Sequence, residues 1–484
     1  MLLLRDDRTR TECAALQRAH AALVHAVSHG TTDVRATLAD KLAATLRTAL
    51  RSPMYDNTIP AGVRARLSDD APLSEAELTE LLRRLPFLGK RDLAGYGQGA
   101  FTRQVGDFLH YYESSGTTGH PSAAPKALDD LIVNTINIGE MWGRILAPTD
   151  IALILINAPF APAAYQFEKV LEYLEVMSFR PWVDNITGDY TRVLRLVEQL
   201  GANVFIGPPS RLLEMVQFAH RNGLPAPRFD RLLLMAEQTG PSFIRHLERL
   251  TGATAYVASY GSSETGTPAV TCEHRNLHLQ PQSFLLELFD EHGARPVTGA
   301  ADRGELVVTT LDIPARPLIR YRTGDLVEID ATPCPCGLAS PVLRTLGRSQ
   351  DLLLLAENGI RQNDLENALW AAELDGGVVF NYMLVARGNQ VVFLVTTDGD
   401  GTPGWCDQLA ARLRPLFGPV DLVVRPVATL PPLASLGQYL GWKMSRVLDL
   451  GDEQNWDRLP EPIRSVVRHT LDEVAAPGEH TLTG

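Results

Sequence analysis

No stretch of this 484-residue chain approaches the roughly 20 consecutive apolar residues that a bilayer-spanning helix needs. The apolar residues 1–4 are too few for a secretory signal and are broken at once by Arg5, Asp6 and Asp7. Basic residues are in deficit: 45 Lys and Arg face 57 Asp and Glu, for a formal charge of −12. That balance argues against nucleic acid or an anionic membrane as main partner, yet leaves room for a polyphosphate ligand held by a few local donors. Cysteine is scarce and odd in number, at positions 13, 272, 334, 336 and 406. A disulfide framework is therefore not expected, and the chain reads as a resident of a reducing cytoplasm. Internal repeats and low-complexity linkers are lacking too.

What is present is an ordinary globular composition, 45% hydrophobic and 21% charged, in a chain too long for one compact core. Residues 1–52 read as a helical extension. Asp33 can cap a helix in which Val34, Leu38, Leu42, Leu46 and Leu50 share one face, and Ser52-Pro53 stops it. Strand-like runs at 151–156, 203–206, 231–235, 254–258 and 305–310 alternate with helical patterns at 190–200 and 210–220. Several are apolar without alternation, as strands buried on both faces of an α/β sheet are. After Gly347 the texture changes. Runs at 378–385 and 391–396 flank Arg387-Gly388-Asn389, a hairpin signal, followed by a helix at 406–413 and a strand at 422–427. The division expected is a large domain over 1–346 and a small α+β domain over 347–484.

The most informative stretch is Tyr111-Tyr112-Glu113-Ser114-Ser115-Gly116-Thr117-Thr118-Gly119-His120-Pro121. Its two glycines let the backbone bend close to a ligand, and its hydroxyls and successive N–H groups suit an anion nest. It is not the Walker pattern, because no Gly-Lys-Ser/Thr follows. Standing alone, it could equally be a Ser/Thr-rich surface turn.

It does not stand alone. Ser114-Ser115-Gly116-Thr117-Thr118-Gly119-x-Pro121 resembles the phosphate loop of adenylate-forming enzymes, and four further resemblances follow in that superfamily's order. Tyr260-Gly261-Ser262-Ser263-Glu264-Thr265 resembles the motif whose tyrosine packs on adenine and whose glutamate binds Mg²⁺. Arg320-Tyr321-Arg322-Thr323-Gly324-Asp325 resembles the motif whose aspartate holds the ribose hydroxyls. Gly347-Arg348-Ser349-Gln350-Asp351 resembles the hinge, with Gln350 as pivot, and Lys443 in Gly441-Trp442-Lys443-Met444-Ser445-Arg446 resembles the adenylation lysine. The segment 85–93, Ser122 in place of a lysine after the loop proline, and Cys334-Pro335-Cys336-Gly337 resemble the phenylacetate–CoA ligase branch.

The resemblance implies an α/β fold: a large N-terminal adenylate-forming domain with mixed sheets and helices, plus a small mobile C-terminal lid. It implies catalytic roles for Lys443, Glu264 and Thr118. A nucleotide site would comprise residues 114–119, Glu237, Tyr260, Gly261, Ser262, Glu264, Asp325 and Arg348. An acid pocket would be lined by Trp142, Phe160, Tyr165, Pro208, Ser259 and Gly261, with an aromatic or otherwise flat acid as substrate. Each pocket aromatic could equally be core. ATP and Mg²⁺ are the implied cofactors, CoA the implied acceptor and a homodimer the implied assembly. The chemistry agrees, since a carboxylate meeting a phosphate needs charge neutralisation and alignment above all.

Two departures concern the acceptor. The pivot is Gln350, and Glu357 stands where a glycine beside the pantetheine arm is expected. They motivate an alternative, transfer of the acyl group to a carrier protein or an amine without CoA; a lapsed nucleotide-binding protein is a third reading. Separately, Cys334 and Cys336 on a glycine turn suit a metal knuckle. Cys272 and His278 would complete a structural Cys₃His zinc site. His274 competes as the histidine ligand, and plain reduced cysteines are the other reading.

Overall fold

The computed structural model describes residues 4–468 apart from 32–34, 115–120, 157–160, 184–187, 349–352, 356–357, 371–373, 375–376, 388–389, 400, 431–445, 450–460, 462–463 and 466–467. At its centre lies a five-stranded parallel sheet in the order Met177–Phe179, Ile151–Ile154, Val204–Gly207, Arg231–Leu234, Thr254–Val257. Four of the apolar runs read from the sequence form its strands, and the reason for their missing alternation is plain. Leu153, Phe205, Leu232 and Leu234 enter one core, while Ala152, Ile154, Val204, Ile206 and Leu233 enter another on the opposite face. Helices Pro209–Arg221 and Pro241–Thr251 cover the first face, and Leu128–Trp142 and Ala163–Tyr173 cover the second. Both helices of the first pair begin with proline, whose missing N–H costs nothing there.

An eight-stranded antiparallel sheet stands beside it, ordered Gly293–Pro296, Phe284–Asp290, Asp302–Thr310, Tyr321–Asp330, Val342–Arg348, Leu277–Leu279, Gly266–Thr271, Ser259–Ser262. The run at 305–310 belongs to this sheet. The N-terminal helices Asp7–His29 and Arg35–Ala49 precede a series of short ones, and Leu42, Leu46, Leu78 and Leu81 pack on Leu318, Ile319 and Tyr321, where the strand Tyr321–Asp330 begins. The expected cap Asp33 lies outside the described residues. Arg320, with φ 50 in the left-handed region, is held by a two-pronged pair to Glu287 at 3.0 Å and lies 4.2 Å over the Phe87 ring. It fixes the start of the strand that carries Asp325.

Past residue 352 come the hairpin Leu353–Leu355/Asn358–Ile360, the helix Gln362–Trp370 and a four-stranded sheet ordered Asp421–Pro426, Gln390–Thr397, Val379–Arg387, Val447–Asp449. The hairpin read from Arg387-Gly388-Asn389 is there, with Arg387 opposite Gln390. These elements share a core with the parallel sheet. Trp370 stacks on Phe243 at 4.7 Å and on His246 at 4.5 Å, and His246 Nε2 bonds to the Phe380 carbonyl oxygen at 3.0 Å. Burial lowers the His246 pKa to about 3, so the ring enters that core neutral.

Candidate active site

The strands His110–Glu113 and Ala123–Lys126 form an antiparallel ladder that carries the Ser/Thr/Gly loop. Its neck is closed by reciprocal bonds: Ser114 N donates to Ser122 O at 3.0 Å, and Ser122 N donates to Ser114 Oγ at 2.9 Å. Ser114 thus has a shaping role at the neck. Ser115, Gly116, Thr117, Thr118 and Gly119 lie outside the described residues, as do Phe160, Gln350, Glu357 and Lys443.

Five of the expected nucleotide-site residues come together around a cavity of about 130 Å³: Glu237, Tyr260, Gly261, Asp325 and Arg348, with Ser259 beside them. Register explains the meeting of two of them. Asp325 and Arg348 are partners across the strands Tyr321–Asp330 and Val342–Arg348. Arg348 Nε donates to Asp325 Oδ1 at 3.0 Å, and Tyr260 Oη donates to Oδ2 at 2.8 Å. Each carboxylate oxygen keeps a lone pair, so a diol can still be accepted. Burial, then the Asp325 charge, drives the Tyr260 phenol well above its ordinary pKa, so the hydroxyl stays a donor. Gly261 has no room for a side chain, since a Cβ there would lie 2.0 Å from the Gly266 carbonyl oxygen. Glu237 follows Ala236, a non-glycine residue at φ 67, and its carboxylate accepts from Ser210 N at 3.2 Å and from Ser210 Oγ. Arg361, Gln362 and Asn363 complete the wall from the far side.

Glu264 sits where the chain turns after Ser259–Ser262. The turn is held by Ser262 N donating to Thr265 Oγ1 and Thr265 N donating to Ser262 Oγ, both at 3.2 Å. The residue is 3% exposed, and its Oε1 makes no hydrogen bond among the described residues. Three cations surround it. Lys90 Nζ is 3.8 Å from Oε1, buried Arg316 donates to the Glu264 carbonyl at 3.0 Å, and Lys126 donates to the Ser263 carbonyl at 3.2 Å. Burial pushes the Glu264 carboxyl up, but Lys90, Arg316 and hydrogen bonds outweigh it and leave the pKa below its ordinary value. An ionised, buried and unbonded carboxylate oxygen fits a hard divalent cation. Burial lowers Lys126 to about 8. None of Lys90, Arg316 and Lys126 was singled out from the sequence. Lys90 stood inside the segment 85–93, but no local pattern marks any of the three as a neighbour of Glu264.

The acid-pocket residues fare differently. Trp142 is fully buried, stacks on Phe167 at 5.1 Å and donates its indole N–H to the Ala258 carbonyl at 3.2 Å. It packs the core under the sheet, which is the core reading of the two left open for this side chain. Tyr165 is half-buried against His110, with ring centroids 4.2 Å apart. Pro208 caps the helix Pro209–Arg221.

Outside the cavity lined by Glu237, Tyr260 and Asp325, Cys272, His278, Cys334 and Cys336 converge, their ligand atoms all within 4.8 Å of one another. Cys272 Sγ to Cys334 Sγ is 3.8 Å, and Cys336 Sγ to His278 Nε2 is 3.2 Å. A tetrahedron with Zn–S bonds of about 2.3 Å has edges near 3.8 Å, so the spacing is right. His278 Nδ1 bonds to the Ser340 carbonyl at 2.8 Å, which leaves Nε2 free to face inward. His274 is exposed and lies outside the cluster, so the geometry selects His278.

No protein-family model matches the chain. Phenylacetate-coenzyme A ligase from Thermus thermophilus is 27% identical over 341 residues, which are 66% of this chain and 73% of that ligase. The solved structure of 2-hydroxyisobutyryl-CoA ligase in the postadenylation state with 2-HIB-AMP gives a TM-score of 0.68, covering 90% of this chain and 91% of its own at 17% identity. The GH3.15 acyl acid amido synthetase in complex with 2,4-DB gives 0.64, covering 96% and 98% at 14% identity. The chain is thus similar in sequence to phenylacetate–CoA ligases and shares its fold with the CoA ligase and the acyl acid amido synthetase.

Proposed function

We propose that the chain activates a carboxylic acid with ATP and then passes the acyl group to the thiol of CoA. In the first half a carboxylate oxygen bonds to the α-phosphorus and pyrophosphate leaves. In the second the thiolate attacks the acyl carbon and AMP leaves. The observation that carries the reading is the joined set Tyr260, Asp325 and Arg348 on one cavity wall. A diol acceptor, a ring and a guanidinium there suit a ribonucleotide. Glu264 would hold Mg²⁺, which supplies neutralisation of phosphate charge. Lys90 and Arg316 help keep that carboxylate ionised, residues 114–119 would cradle the phosphates, and Lys443 would meet the reacting oxygens. An aromatic acid is the substrate class, supported by the name of the Thermus relative.

The test is acid-dependent exchange of labelled pyrophosphate into ATP, run with phenylacetate and a panel of other acids. Exchange is expected, with Glu264→Gln slower by about 100-fold. No exchange with any acid at saturating Mg·ATP would sink the reading. Exchange without thioester on adding CoA would sink its second half alone.

The same proposal includes a cytoplasmic homodimer, a division of the chain at about residue 346, and a structural zinc on Cys272, His278, Cys334 and Cys336. The cluster joins loops of the antiparallel sheet to the core around Trp142, so the metal's work there would be stability.

A further inference from the structure

Arg446 is among the largest fully buried side chains of the molecule, at 1% exposure, and the chemistry proposed above does not use it. Its guanidinium touches both halves of the shared core. On the C-terminal side, Nη1 is 3.3 Å from Glu366 Oε1 and Nε donates to Asn381 Oδ1 at 3.2 Å. On the other side it lies 4.6 Å over the Phe243 ring, and Nη2 is 3.7 Å from Glu237 Oε2. Glu237 is the cavity-wall residue already held by Ser210. A second bridge runs parallel: Gln362 Nε2 donates to Glu366 Oε1 at 2.7 Å and to the Gln238 carbonyl at 3.4 Å. Directly behind the guanidinium the backbone is fastened. The Arg446 carbonyl accepts from Leu384 N at 2.8 Å, and Val447 pairs with Leu384 in the parallel strand contact.

We propose that Arg446 is a positioning residue for acyl-adenylate formation, tying the strand Val447–Asp449 to the nucleotide-cavity wall through Glu237. The assignment rests on the adenylation reading and deepens it. Two features separate it from a side chain that only fills space. One guanidinium is set against two carboxylates drawn from opposite sides of the seam, and a buried ionic contact serves orientation better than it serves stability. Moreover, Nη2 makes no hydrogen bond among the described residues. At 3.7 Å it stands about 0.8 Å beyond a charge-assisted bond to Glu237. A small inward shift of the wall closes that gap, so a nucleotide pressing on Glu237 is felt at Arg446. In sequence Arg446 follows Lys443, the lysine that the first half-reaction would need, by three positions.

The experiment measures the two half-reactions apart: acid-dependent pyrophosphate exchange, and thioester formation from synthetic acyl-adenylate and CoA. Arg446→Met is expected to lower kcat of exchange about 100-fold, with KM for ATP and the thioester step each within about threefold of wild type. Arg446→Lys should recover part of the loss, and Glu237→Gln should reproduce it without a change of fold. Wild-type exchange in both Arg446→Met and Glu237→Gln overturns the assignment. So does a parallel fall of both half-reactions together with the melting temperature, the mark of a purely structural arginine. If Arg446→Met does not fold, Glu237→Gln decides by the same readouts. A wild-type enzyme that shows no exchange overturns the adenylation reading, and this assignment with it.

Discussion

Asp325 and Arg348 sit opposite each other on neighbouring antiparallel strands, and the Arg348 guanidinium donates to one carboxylate oxygen at 3.0 Å while Tyr260 donates to the other at 2.8 Å. The aspartate is therefore aimed before any ligand arrives. A carboxylate fixed from both sides loses no rotamer freedom on accepting a diol, so its contribution to binding is undiluted.

Asp325→Asn keeps the shape but removes the charge that both donors and a ribose would address. Hydrogen bonds to a charged group are worth about 1.5–3 kcal/mol, so KM for ATP in pyrophosphate exchange should rise about 10- to 100-fold. A rise under about threefold would remove Asp325 from the nucleotide site.

Gly261→Ala should destabilise the fold as well as abolish exchange, because its Cβ would meet the Gly266 carbonyl oxygen at 2.0 Å and both partners are backbone. The cost is about 1–3 kcal/mol or more. Gly95, in the helix Lys90–Tyr96, is the control: nothing lies within 4 Å of its Cβ position, and Gly95→Ala should hold or raise the melting temperature. Equal melts for Gly261→Ala and wild type would show that the hairpin can open without cost.

Metal analysis of the purified chain should find about one zinc per molecule, lost in Cys336→Ser together with several degrees of melting temperature. Pyrophosphate exchange at low temperature should survive, since the cluster lies outside the cavity lined by Tyr260, Asp325 and Arg348. A metal-free protein from zinc-replete cells would leave the four side chains as ordinary reduced residues.

Glu366 gives the stability a pH dependence of definite sign. Burial pushes its carboxyl up to about 7 from 4.5, against the pull of Arg446 and hydrogen bonds from Gln362 and Tyr382, while Glu237 adds to the rise. Between those values the folded chain binds a proton that the unfolded chain has released. The stabilisation is complete below pH 4.5 and is lost as the pH rises through about 7. Glu366→Gln should flatten the fall in melting temperature between pH 5 and pH 8. An unchanged slope would assign the titration elsewhere.

The readable parts of this chain were those whose signal is local. The parallel strands announce themselves as short apolar runs because both faces are buried, and the 378–396 hairpin by the Gly-Asn pair between its two apolar runs. Cys334 and Cys336 carry their spacing with them, although choosing His278 over His274 needed the strand that buries one and exposes the other. Tyr260, Asp325 and Arg348 came from motifs, but their mutual bonds depend on register, which no single segment contains. The antiparallel sheet was largely illegible because strands such as Leu277–Leu279 are too short to show a period. Trp142 stays open between pocket and core in the sequence, because an aromatic on an apolar helix face looks the same whether a cavity or a core lies opposite. Lys90, Arg316, Lys126 and Arg446 were passed over as charges, since what makes them matter is a partner dozens to hundreds of residues away.

The stack of Trp370 on Phe243 and His246 has a consequence for how the chain is made. Helix Pro241–Thr251 leaves the ribosome more than a hundred residues before Trp370 does. Until then its apolar face, with Phe243 and Leu247, has no cover on that side. The growing chain thus carries a sticky helix through much of its synthesis, and a chain halted before residue 370 should depend on chaperones or aggregate. Emergence of the helix that carries Trp370 supplies the missing cover.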